Sequence, residues 1–71
     1  MNSEQHTMRE LRKAANNDLR CAESHLDEAF SVLNHTAFGD DSILTDKQIV
    51  LVQRAMDQIS HAVLNIISAV D

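Results

Sequence analysis

Hydrophobic positions recur with a helical period along almost the whole chain. From Ile49 onward they read Ile49, Val52, Met56, Ile59, Val63, Ile66 and Val70, alternately three and four residues apart, which keeps them on one side of an α-helix. A column of small residues, Ala55, Ala62 and Ala69, runs beside that seam at intervals of seven. The first half has a matching pattern. Leu19, Leu26 and Leu33 repeat every seven residues, as do Ala15, Ala22 and Ala29, with Met8 extending the alanine column. Neither stretch contains proline or glycine. The pattern predicts two long helices, helix 1 over about 3–36 and helix 2 over about 46–70, joined by a turn over 37–45.

Local signals place the turn. Phe38-Gly39-Asp40-Asp41-Ser42 is the strongest punctuation in the chain, and Gly39 can take the left-handed geometry that ends a helix. Thr45 is a good N-cap for helix 2, with Gln48 as its capping-box partner and Leu44 and Ile49 in the two hydrophobic-staple positions. Asp46 sits where the helix dipole favours negative charge. A connection this short folds the helices back as an antiparallel hairpin. Alanine alternating with leucine allows close approach, and the repeats suggest Leu33 facing Ile49, Leu26 facing Met56 and Leu19 facing Val63. Residues before about Leu11 should overhang.

One partner helix does not use all this apolar surface. The apolar arc of helix 2 spans roughly 160°, whereas a single neighbour requires a stripe of about 100°. Val52, Ala55, Ile59, Ala62, Ile66 and Ala69 form a second packing face. Helix 1 offers Ala14, Cys21 and Val32, interrupted by Asp18 and His25. The expected architecture is therefore all-α: a two-helix hairpin of one domain, 1–71, dimerising into a four-helix bundle through Ala14, Asp18, Cys21, His25 and that helix 2 face. Asp18 and His25 could form a hydrogen-bond pair that fixes the dimer register.

Composition narrows the chemistry. In 71 residues there are no prolines, one glycine, one cysteine and no tryptophan or tyrosine, which excludes β-rich, collagenous and disulfide-stapled classes. A lone Cys21 fits a reducing compartment, and residues 1–8 offer no apolar core for a signal peptide. The hydrophobic region 49–70 is broken by Gln53, Arg54, Asp57, Gln58, His61 and Asn65, so a membrane span is not expected. The expected location is the cytoplasm. None of His25, His35 and His61 has a glutamate three residues before it, and Asp57 and His61 fall on the polar face, so no metal site or cofactor is expected. Cys21 lacks a basic neighbourhood that would make it reactive. Without a nucleophile–base set or a phosphate loop, an enzyme is not expected.

The formal charge of −5 is unevenly spread: residues 1–20 carry four basic and three acidic side chains, residues 21–71 two basic and eight acidic. Arg9, Lys13, Asn16 and Arg20 form a basic stripe on helix 1. Glu23, Asp27, Glu28, Asp40, Asp41 and Asp46 gather towards the turn. Val50, Leu51, Leu64 and Ile67 lie off the seam or at its edge, and Phe38 falls in the turn.

The sequence Ala15/Leu19/Ala22/Leu26/Ala29/Leu33 opposite a heptad helix resembles the plasmid RNA-modulator family Rop, over about fifty residues. That resemblance implies a hairpin dimer with alanine–leucine layers and RNA binding on a helix-pair face, for which Arg9, Lys13 and Arg20 would stand. The chain is similar, too, to short two-helix bacterial and phage proteins, some of which inhibit host regulators. The leading expectation is a small non-enzymatic dimer that binds another protein and modulates or inhibits it through Phe38, Asp40, Asp41, Val50 and Leu64. A Rop-like RNA binder is the alternative, and a bundle storing a small ligand or metal between subunits a third.

Overall fold

A computed structural model describes the backbone of residues 2–70 and the side chains of residues 6–70. It contains two helices, α1 (Asn2–Phe38) and α2 (Asp46–Ala69), packed antiparallel, with no strand among the described residues. The chain is a thin rod of 60 × 17 × 11 Å. Its radius of gyration is 17.7 Å, against about 11 Å for a compact chain of this length.

The seam is a strict heptad on both sides. All seven expected residues of α2, from Ile49 to Val70, are half-buried or buried. On α1 two columns meet them: Leu19, Leu26 and Leu33, and, four residues after each, Glu23, Phe30 and Ala37. Phe30 therefore sits in the seam, and Ala15 and Ala29 lie exposed beside it with Ala22 half-buried. The alanine–leucine alternation read as a single facing stripe is corrected to this arrangement. Phe30 also shares its grooves with Met56, Ser60 and Val63.

Only Ala37 (3% exposed) and Met56 (7%) are buried among the described residues. Both lie on the half of the rod nearer the turn, where the connection closes the space between the helices. The rod exposes 5876 Å², about 1,500 Å² more than a compact monomer of its 7.9 kDa would.

The start of α2 is built as its sequence suggests. The Gln48 N–H donates to Thr45 Oγ1 at 3.2 Å and the Thr45 N–H donates to Gln48 Oε1 at 2.9 Å, a complete capping box. Asp46 occupies the first turn, and Leu44 and Ile49 are both half-buried. The end of α1 differs from expectation. The helix runs through Ala37 and Phe38, so Phe38 belongs to its last turn and not to the connection. Gly39 does not adopt a left-handed conformation. Its role is close approach: the Gly39 N–H donates to the His35 carbonyl at 2.8 Å, and a β-carbon there would collide with that same oxygen. The Ser42 N–H then donates back to the Gly39 carbonyl at 3.1 Å, closing the turn.

Two substitutions check this account by urea denaturation. Thr45→Ala should lower stability by about 1 kcal/mol through loss of the cap. Gly39→Ala should lower it by about 1–3 kcal/mol, the size of an overpacking penalty, and a neutral result would show that the His35 carbonyl can move aside.

Candidate functional site

The hairpin has two flanks of opposite character. Ala22 and Ala29 lie three residues after the seam leucines Leu19 and Leu26. Ala55, Ala62 and Ala69 lie three residues after Val52, Ile59 and Ile66. An equal offset is an equal rotation about each helix, and antiparallel packing brings equal rotations to the same side. The alanine columns of both helices therefore form one smooth flank, with Val52, Ile59 and Ile66 at its floor. Asp18, His25 and Val32 edge this flank on α1, each at an exposed position.

The positions proposed from sequence for a dimer interface divide accordingly. Val52, Ala55, Ile59, Ala62 and Ile66 are half-buried and Ala69 exposed, all on this flank. Asp18 and His25 stand on its rim. Ala14 and Cys21 do not join them: seven apart, they are exposed on the side of α1 turned away from α2. Ala15, Ala22 and Ala29 occupy the places those two were expected to fill. The seam leucines and Phe30 fix α1's rotation, and that rotation was not visible until Phe30 was known to be inside.

Residues four after the seam fall on the opposite flank. These are Asp27 and Asn34 on α1 and Gln53 and Ser60 on α2, exposed and polar, with the exposed Ile67 after them in the α2 column. Open grooves lie along this flank. One, of about 340 Å³, is lined by Asp27, Phe30, Ile59, Ser60, Val63 and Leu64. A second, of about 470 Å³, shares Phe30 and Ser60 and is completed by Phe38, Gln53, Met56 and Asp57. Apolar floors between carboxylates suit an amphipathic segment with basic edges.

Of the residues assigned to a protein partner, Phe38 and Leu64 line these grooves, and Leu64 is 61% exposed. Val50 falls in the same heptad column as Asp57 and Leu64, about 21 Å from Leu64 along the helix. Asp40 and Asp41 sit exposed at the rod's tip. With them stands Ile43, 93% exposed, which sequence reasoning passed over. An isoleucine in a turn with no helical period has no face by which to be noticed.

A third concavity, of about 530 Å³, lies on α1 and is lined by Arg9, Arg12, Lys13, Asn16, Asn17 and Arg20. The basic stripe is thus one continuous surface and includes Arg12 and Asn17, which the stripe as read from sequence omitted. Glu10 stands outside the lining, with its Oε1 3.5 Å from His6 Nε2 in an exposed pair of little energetic weight.

No protein family, characterised protein or solved structure matches this chain. Function must therefore be argued from these surfaces. Among the described residues no helix is long and apolar enough to cross a membrane, and no three His, Cys, Asp or Glu side chains gather where they could hold a metal ion. Asp57 and His61 are both exposed.

The division into a load-carrying groove residue and an outward one is measurable. Phe30→Ala should destabilise the fold by about 0.8–1.5 kcal/mol, roughly half of what full burial of a large apolar side chain is worth, because Phe30 is half-buried. Leu64→Ser, at an exposed position, should leave the urea midpoint within the equivalent of about 0.5 kcal/mol.

Proposed function

We propose that the protein is a non-enzymatic interaction module: a dimer of hairpins that binds another protein and inhibits it by covering a surface. The observation that supports this reading is the separation of its uncovered apolar surface onto two flanks. Two buried side chains make a weak core for a chain of this length. The alanine flank, smooth and nearly free of charge, suits a second copy, and the pair would be a four-helix bundle. The rod's surplus of about 1,500 Å² over a compact monomer comfortably exceeds the ~800 Å² that each partner contributes to a stable interface.

The grooved flank would remain outward in such a dimer and carry the partner site. Phe30 and Met56 form its floor, Leu64 and Phe38 its rim, and Asp27 and Asp57 its charged edges. A partner offering an amphipathic, basic-edged helix fits that chemistry. Together with Asp40 and Asp41 at the tip, the carboxylates would steer its approach.

A second reading is favoured by the basic concavity. Four cations and two asparagines along 530 Å³ of one helix could follow the backbone of a structured RNA. Such binding would weaken steeply with salt.

Sedimentation at micromolar concentration should show a dimer, and Ala62→Glu, which buries a carboxylate in the alanine flank, should give single copies. Affinity capture followed by mass spectrometry should retain one specific protein that is lost with Phe38→Ala/Leu64→Ser. If the captured species is instead RNA, lost with Arg9→Ala/Lys13→Ala/Arg20→Ala, the second reading replaces the first.

A further inference from the structure

The seam of α1 changes character where α2 stops. Counting back by sevens, Leu33, Leu26 and Leu19 lead to Arg12, and Ala37, Phe30, Glu23 and Asn16 lead to Arg9. The first members are buried or half-buried, and Arg9 and Arg12 are exposed. α1 is about 55 Å long and α2 about 36 Å, so the first turns of α1 face a space that α2 does not reach. That space is bordered by Met8, in line with the alanine column and 53% exposed, and by Leu11, 59% exposed. At the other end of the rod the turn presents Asp40, Asp41 and Asp46 with Ile43 almost wholly exposed. One end thus offers cations beside bare apolar side chains, and the other offers carboxylates beside a bare isoleucine.

We propose that the second copy docks antiparallel, with its acidic turn seated on the basic overhang of α1. This rests on the dimer proposed above and specifies its orientation. A two-fold axis through the middle of the paired stretch exchanges the turn of one copy with the end of α2 of the other. At a rise of about 1.5 Å per residue, full overlap of the paired stretches brings the partner's turn level with the stretch from Leu11 to Asn16, within side-chain reach of Arg9. Carboxylates of the turn then meet Arg9 and Arg12, and Ile43 meets the Met8–Leu11 edge. Each dimer contains this contact twice. The parallel alternative sets six turn carboxylates against one another and leaves both overhangs bare, so like-charge repulsion opposes it.

Cross-linking and charge exchange test the orientation. In a Cys21→Ala background, Leu11→Cys/Ile43→Cys should oxidise to a covalent dimer, whereas Ile43→Cys alone should not. Asp40→Lys/Asp41→Lys and Arg9→Glu/Arg12→Glu should each weaken the dimer at least tenfold at low salt. Their equimolar mixture should recover the original affinity, because in the heterodimer one junction is native and the other is reversed in both partners. Circular dichroism of each variant confirms that the helices are retained. A wild-type protein that sediments as single copies defeats the dimer itself. A wild-type dimer that cross-links through Ile43→Cys alone, or ignores the charge changes, defeats the antiparallel junction only. The same result follows if Arg9→Glu/Arg12→Glu abolishes RNA binding and leaves the dimer intact, which would give the overhang to nucleic acid.

Discussion

Two helices can share a seam, but they cannot enclose a core. Each helix contributes one stripe to the other, and every residue in that stripe keeps one side open to solvent. Among the described residues burial is deepest at Ala37 and Met56, towards the end where the connection closes the hairpin. Everything else in the molecule follows from this geometric limit. Val52, Ile59 and Ile66 are half-buried although they lie in the seam, and the flanks beside them decide what the rod can associate with.

Those flanks differ by one step of helical rotation. Three residues after a seam position the chain places alanine, in both helices and repeatedly. Four residues after, it places Asp, Asn, Gln or Ser, and only after Val63 an apolar residue, Ile67. Small apolar side chains permit close backbone approach, whereas polar ones next to Phe30 leave grooves. The asymmetry gives a flat side suited to self-association and a contoured side suited to a foreign segment.

Charge adds direction to the rod. The basic concavity on the N-terminal half of α1 and the carboxylates of the turn lie towards opposite ends of the rod. A polarity of this kind acts over about a Debye length, roughly 8–10 Å at moderate salt. In the proposed dimer it would influence how ends meet, and flat apolar contact would supply the cohesion. The seam columns running from Leu19 to Arg12 and from Glu23 to Arg9 show that the change in charge begins where α2 ends, so pairing length and polarity have one origin in the heptad pattern.

The elements were legible because helix period, capping box and turn residues are local properties. Thr45 and Gln48 need only each other, and the α2 seam follows from its own spacing. The rotation of α1 was a different matter. Two heptad columns competed for the seam, one of alanines beside the leucines and one of Phe30 and Ala37 on their other side, and spacing alone favours neither. Antiparallel packing chose the second, because the bulk of Phe30 gains more from burial beside Met56 than an alanine would. That choice sent Ala15, Ala22 and Ala29 to the flank and Ala14 and Cys21 to the outer surface. Local sequence thus determined where each helix lies and how it is capped, whereas the faces that remain for binding were decided only by the contact of one helix with the other.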